Sequence, residues 1–532
     1  MGIVSFWFIV LTAVTVILYD LPYFRRYGRY ILLAASLIFY ISFSPAGLLV
    51  LIPDALAAWA VGIRVQKLKD SQNADNYEAV QKVKLRYTLG NAALNILLLF
   101  LFNYCGGMAA FVNEKLGTGL WTAVGLFVTV GISYFSLKLV SYTADVYGGV
   151  IEAEKDPLNV ILYAVFFLSI MQGPFDRYGK LMPQITDAKK RKLTYSSVKA
   201  AVIRIMYGYI KKMCIADQIG LIATHVFTRY EEYHGLAILT GIAAFAVRLY
   251  ADFSGYMDIV CGIGQLMGIE IAENFRQPFF SRNMTEFWGR WHITLGAWLK
   301  DYVFYPLQRT GLFTKWSKAI SRKTKNKLLR KAPAFTAEFI VWLLIGLWHG
   351  SGFNYIFGVG ILQFIYIFTG TLLKPFSDKL RAFLHIGGKS VFLRIVQGMK
   401  CTLLMCFAWV FFNSASFENA LAMFCNIFND AFSAEQFTEI FTNNGYYPFI
   451  DVTDPLKVIG NWNVWLMYIL VCIFVMFIVD ILHERGQSVV EAVMRRPYPI
   501  RLAFYMLLIF SLIVFGSYGG TYNASDFIYY RF

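Results

Sequence analysis

Apolar runs recur along this chain from residue 3 to residue 517, with no gap long enough to hold a soluble domain. A helix that crosses a bilayer needs about 20 mostly apolar residues, because every backbone N–H and C=O within hydrocarbon must be bonded inside the segment. The candidate segments are 3–20, 30–46, 47–63, 89–105, 119–141, 158–172, 201–222, 236–268, 338–373, 391–412, 464–482 and 502–517. The stretch 338–373 is long enough for two elements, and 236–268 is interrupted by Gly255, Gly262 and Gly264. Several others fall short of a full span, and such segments are tolerated at membrane depth only when buried in protein or lining a cavity. The expected fold is all-α, a single polytopic membrane domain over 1–532, with roughly ten to twelve spans plus re-entrant or interfacial helices.

Composition agrees. Charged residues make up 15% of the chain and hydrophobic ones 58%, where a soluble domain carries about a quarter charged residues. Aromatics reach 17%, which suits interfacial belts and a tightly packed helical interior. The net charge of +16 is concentrated in short stretches, 25–29, 64–86, 177–212, 315–331 and the pair Arg495 and Arg496. That is the positive-inside pattern, which orients helices and meets anionic membrane lipids, and it argues against nucleic acid as a partner. With these clusters in the cytoplasm the N-terminus is outside, and the short run 158–172 needs a re-entrant hairpin. Residues 3–19 read as a retained first span, because no positive charge precedes them and no small-residue cleavage site follows. Residues 64–88 read as a cytoplasmic helix–loop and 413–463 as a polar loop with short helices and turn signals at Asn443, Asn444, Gly445 and Pro448. The seven cysteines contain no C-x-x-C pair and imply neither a disulfide framework nor a zinc site.

Six histidines occur. His225, His234, His385 and His483 sit at the ends of apolar runs or in polar stretches and read as interfacial or loop residues. His349 ends the apolar run 339–348 and is followed by Gly350, Ser351 and Gly352. An ionisable group inside an apolar span is costly when charged and marks a functional site; a neutral imidazole there is the form a general base needs, and flanking glycines would let a substrate approach it. His292 sits among Trp288, Arg290 and Trp291, a segment too charged for lipid and too aromatic for a solvated loop, so it reads as lining a polar cavity or interface. Asp252 and Asp258 flank Ser254 and Gly255 inside an apolar stretch, where they could pair, bind a hydroxyl or cap a broken helix. No G-x-S-x-G elbow, H-E-x-x-H motif or complete dinucleotide loop is present.

The run from Glu273-Asn274-Phe-Arg-Gln-Pro to Phe287-Trp-Gly-Arg290-Trp291-His292-Ile-Thr-Leu, continuing to Trp298-Leu-Lys-Asp301-Tyr, closely resembles the signature of bacterial membrane-bound O-acyltransferases. Gly346-Leu-Trp348-His349-Gly resembles that family's second histidine motif, 57 residues further on (349 − 292). Gly131-Ile-Ser-Tyr-Phe, Tyr142-Thr-Ala-Asp-Val-Tyr, Gln172-Gly-Pro-Phe-Asp-Arg-Tyr, Asp252-Phe-Ser-Gly-Tyr-Met-Asp and the tail Phe527-Ile-Tyr-Tyr-Arg-Phe resemble further family segments. Length, the second aspartate at 258 and the aromatic tail favour the alginate O-acetyltransferase type, which acetylates exported polysaccharide or peptidoglycan, over the teichoic-acid D-alanylation type. Gln308-Arg-Thr-Gly and the basic insertion at 315–331 depart from the favoured branch.

The resemblance implies a ring of helices around a thin floor with a central tunnel, in the cell membrane of a bacterium. It divides the chain into N-terminal helices (1–120), a catalytic core (121–375) and C-terminal helices (376–532). The donor would be acetyl-CoA, with no bound cofactor or metal. The acceptor would be a hydroxyl of a cell-envelope polysaccharide, reached with the help of an extracytoplasmic partner protein. His349 would act as general base and His292 would orient the acyl group or bond the oxyanion. Asn274, Arg290, Trp291, Asp301 and Trp348, with Asp252 and Ser254, would bind substrate. Two other classes fit polytopic helices with buried Asp and His: a transporter or flippase, and a non-catalytic scaffold. A transporter often carries inverted repeats with broken helices in both halves, and no such symmetry is visible here.

Overall fold

In the computed structural model the described residues are 1–116, 131–187, 193–385, 387, 390–429 and 462–518. Among them the secondary structure is helical, apart from one antiparallel bridge between Phe275 and Trp291. Among the described residues eight helices are long and apolar enough to cross a membrane: Leu48–Asp70, Tyr77–Phe102, Gly235–Leu266, Leu329–His349, Phe353–Phe383, Val391–Asn413, Leu466–Glu484 and Tyr498–Phe515. Phe6–Asp20 and Pro22–Ile41 form a pair bent by 99°, which brings the number to nine if the pair is one span. The protein is an all-α, multi-pass membrane protein. Of the remaining apolar runs, those described form shorter helices, among them Ile132–Gly148, Pro157–Val165, Tyr195–Tyr209 and Asp217–Thr228.

The run at 158–172 is buried in protein. A helix over Pro157–Val165 starts on Asp156, whose carboxylate accepts from Leu158 N, and it is followed by non-helical backbone through 166–177. Nearly every residue from Val160 to Phe175 is sealed from solvent. The 338–373 run divides as expected, with Ala332–His349 and Phe353–Phe383 meeting near Gly350. The polar stretch 64–88 becomes two helices joined by a turn in which Asn73 and Asn76 each accept the other's backbone N–H. Of the loop expected at 413–463, the helix Phe417–Asn426 is described; 430–461 and the tail 519–532 lie outside the described residues, as does 117–130.

The interruption expected at Gly255, Gly262 and Gly264 is not there: Gly235–Leu266 is one continuous helix and the most deeply buried of the spans. The glycines serve close packing instead. A Cβ at Gly255 would stand 2.8 Å from the Gly208 carbonyl oxygen, and one at Gly262 would stand 3.0 Å from that of Ala201. Small residues of this kind let helix backbones approach within a membrane. Continuing from Tyr195–Tyr209, the π-helical turn Ile210–Ala216 carries Lys211 and Lys212 against the same helix. Lys211 Nζ meets Asp258 Oδ2 at 2.8 Å, and Lys212 Nζ meets Asp252 Oδ1 and Asp217 Oδ1, each at 2.7 Å.

Gly255→Val should therefore overpack this contact and destabilise the protein by about 1–3 kcal/mol. A lowered apparent Tm of the purified variant in detergent, relative to wild type, is the measurement that checks it.

Candidate active site

The chain from 272 to 294 is non-helical at 272–277 and 289–292, with Asn274, Trp291 and His292 buried there, so the backbone groups at these points need partners. They find them in a short clamp. Arg276 N donates to Arg290 O (3.0 Å) and Ile293 N donates to Asn274 O (3.1 Å), on either side of the Phe275–Trp291 bridge. Asn274 Oδ1 accepts from Thr294 N (3.0 Å) and Thr294 Oγ1 (2.7 Å), and Thr294 Oγ1 accepts from Phe175 N (3.0 Å). Between these ties the backbone reverses at His292, which is left-handed with φ 47° and ψ 49° and begins the helix Ile293–Leu299. That conformation costs a residue with a Cβ about 1–2 kcal/mol and persists only when its surroundings enforce it.

The His292 ring is held between aromatic rings. Phe175 stacks on it at 6.0 Å between centroids, while Phe253 (4.9 Å) and Trp348 (6.4 Å) meet it edge-on. His349 is the last residue of Ala332–His349 and packs edge-on against Trp348 (4.7 Å) and Phe412 (5.5 Å). The exposures of the two histidines are 3% and 4%. The glycines after His349 make room for protein: a Cβ at Gly350 would collide with the Tyr355 ring at 2.8 Å. Asn354, five residues after His349, donates through Nδ2 to Phe411 O (3.1 Å) and Ser414 O (2.9 Å), fixing the helix that carries Phe412.

Both histidines border one cavity of about 480 Å³. Its lining is largely apolar, with Trp288, Trp291, Trp342, Trp409, Ile345 and Phe412; Thr285, Lys300, Glu338 and Gln363 add polar groups. This volume falls in the range of small-molecule sites, about 300–1,000 Å³.

Of the other residues singled out from the sequence, Trp291 lines the cavity and stacks on Phe287 (5.7 Å). Trp348 sits between the two histidines, against Tyr134 and Phe175. Asn274 lies behind His292, tied to Thr294. Arg290 is turned to Glu286 (2.8 Å) and Glu484 (3.0 Å), joining this segment to the end of the span Leu466–Glu484. The hydrogen bond to Glu484, helped by Glu286, raises its guanidinium above the ordinary arginine range against the opposing effect of burial. Asp301 pairs with Arg177 (2.9 Å), with its side chain half-exposed. Asp252 pairs with Lys212, so of the three roles open to it from the sequence it takes pairing. Ser254 is buried on the same helix, next to the Phe253 that touches His292.

Residues that sequence reasoning did not single out complete the site. Thr294 and Phe175 stood within the quoted motifs, and their mutual bond joins two segments 119 residues apart. Trp409 and Phe412 lie in an ordinary apolar run that carried no signal. Gln363 accepts from Trp288 Nε1 (3.1 Å) and donates to Gly358 O (3.1 Å). Among the described residues no group of His, Cys, Asp and Glu is placed to hold a metal ion.

A multi-pass helical protein with two buried histidines at one apolar cavity is the setting in which the sequence comparisons fall. The family model described as MBOAT, membrane-bound O-acyltransferase family, matches residues 96–321. Over these residues this chain is similar to that family of O-acyltransferases. It is 28% identical over 417 residues to a probable alginate O-acetylase AlgI of Pseudomonas syringae pv. tomato, covering 76% of this chain and 71% of the relative. It is 25% identical to a peptidoglycan O-acetyltransferase of Helicobacter pylori, over 73% of this chain and 72% of the relative. With a teichoic acid D-alanyltransferase of Bacillus subtilis it shares 28% identity over 48% of this chain and 65% of the relative.

Thr294→Val keeps the shape of the side chain but removes a donor to Asn274 and an acceptor for Phe175 N. Leaving those buried groups unpaired should cost about 1–3 kcal/mol, read as a fall in apparent Tm of the purified protein, whereas Thr294→Ser should recover most of the wild-type value.

Proposed function

We propose that this protein transfers an acetyl group from acetyl-CoA to a hydroxyl of a cell-envelope polysaccharide, or to a partner protein that passes it on, at the bacterial inner membrane. The observation that carries the reading is the pair His292 and His349 at one mostly apolar cavity. His349 accepts the proton of the attacking hydroxyl as its oxygen bonds to the thioester carbonyl carbon. The tetrahedral intermediate then collapses, the C–S bond breaks, and the proton passes to the departing sulfur. His292, fixed by its backbone clamp and aromatic neighbours, bonds the carbonyl oxygen as it gains charge. The apolar lining keeps water from competing for the thioester.

Acetyl is favoured over D-alanyl by the lining as well as by the names of two relatives. An aminoacyl ammonium at the reacting carbon would need a carboxylate nearby. Among the described lining residues the one carboxylate is Glu338, eleven residues before His349 on the same helix, or roughly 16 Å along its axis. An acetyl group needs no counter-charge. A cavity of about 480 Å³ is small beside a polymer, which favours a separate extracytoplasmic protein as carrier of the acetyl group over direct transfer.

The test is acyl transfer and thioester hydrolysis by purified protein with radiolabelled acetyl-CoA. His349→Ala should lose about 10²–10⁴ of the rate while keeping the wild-type Tm. Equal rates in both would remove His349 from the chemistry. Turnover of a D-alanyl carrier-protein thioester, with none of acetyl-CoA, would replace acetyl by D-alanyl.

A further inference from the structure

Residues 311–331 join two walls of the histidine cavity: Lys300 and Phe304 on the chain before them, and Glu338 and His349 on the helix after them, all border it. The segment carries eight cations, Lys315, Lys318, Arg322, Lys323, Lys325, Lys327, Arg330 and Lys331, and no Asp or Glu. Among the described residues none of the eight is held in an ion pair by an acidic side chain.

Its first part is the helix Gly311–Lys323, capped by Thr310. At about 100° per residue, Leu312, Phe313, Trp316, Ala319 and Ile320 share one arc, and Lys315, Lys318 and Arg322 share another. Phe313 is buried and anchors the helix to the protein, while Leu312 is 75% and Trp316 37% exposed. The apolar arc is thus only partly used by the fold. After the helix the chain turns back, with Arg330 Nε and Nη2 donating to Thr324 O (2.9 Å) and Ser321 O (3.0 Å). Leu328 and Leu329 are exposed there, and the span Leu329–His349 begins at that point. The basic hairpin therefore stands where a membrane-crossing helix leaves the hydrocarbon.

We propose that residues 311–331 form an interfacial anchor: Leu312, Trp316 and Leu329 enter the acyl boundary of one leaflet, and the flanking Lys and Arg side chains bind the phosphates of anionic phospholipids. A mixed apolar and cationic edge is what binding to such a surface requires, and positive charge next to a span is attracted to anionic headgroups. The inference does not depend on which acyl group, if any, the cavity handles.

Nitroxide labels attached at Leu312→Cys and, as a control, at the exposed Ser321→Cys on the opposite side of the helix read it directly. The full-length protein is placed in nanodiscs of neutral phosphatidylcholine, with or without about a third phosphatidylglycerol. In the anionic discs the label at 312 should be accessible to oxygen and protected from a water-soluble nickel chelate, and the label at 321 the reverse. Neutralising Lys315→Gln, Lys318→Gln and Arg322→Gln together leaves five cations to hold the topology, and should reduce the contrast between the two labels several-fold. Leu312→Cys reporting water in both lipids would overturn the proposal. So would the same contrast in neutral discs and in the neutralised protein, because the apolar edge alone would then suffice. A shift of the labels by CoA in neutral discs would assign the cations to a soluble phosphate instead.

Discussion

Non-helical backbone inside a helical membrane protein must find its hydrogen bonds in the protein, and the site is built around how two such segments satisfy each other. One runs through 166–177 and the other comprises the non-helical stretches 272–277 and 289–292. Phe175 N donates to Thr294, Ala272 N donates to Asp176 Oδ1 (3.0 Å), and Asn274 holds Thr294 from the far side. With the backbone committed in this way, His292 is left at the reversal, in a conformation it would not adopt alone. The same bonds set Phe175 against its ring. The position of the imidazole is thus a consequence of backbone satisfaction that an exposed loop in water would not impose.

The helix Gly235–Leu266 is the other fixed wall. Glycines bring its backbone against Tyr195–Tyr209, and buried lysines of the adjoining π-turn meet its two aspartates. Taking these charges out of water is expensive, and removing one partner would leave the other uncompensated. The pairs place Lys211 and Lys212 of the π-turn against Asp258 and Asp252 of this helix. Phe253 and Tyr250, on this helix, reach His292 and the Trp291 ring (6.2 Å). Tyr250 also donates to Asp480 (2.8 Å), which ties in the span ending at Glu484.

Arg290 links the same span from the opposite direction through Glu484, so the segment carrying His292 is fastened at both flanks. The His349 wall is fastened separately, through Asn354 and the helix Val391–Asn413. Two histidines far apart in sequence are presented to one cavity by independent supports. Trp348 is the piece in contact with both rings.

The sequence by itself determined the solvent and the class of fold: apolar runs of spanning length, few charges and cations confined to short stretches leave an all-α membrane protein as the outcome. It also singled out both histidines, one at the end of an apolar run and one amid tryptophans, and the structure brings them to one cavity. Long-range partners were not legible. Asp252 has its lysine 40 residues away, Arg290 its glutamate 194 residues away, and Thr294 its amide 119 residues away. Periodicity and local composition hold no trace of these pairings, so Arg290 and Asn274 read as cavity residues although one is turned to carboxylates and the other lies behind His292. The glycines of 236–268 were ambiguous for the same reason, since a glycine breaks a helix or admits a neighbour according to whether a neighbour is there. Only the tertiary structure decided that one is.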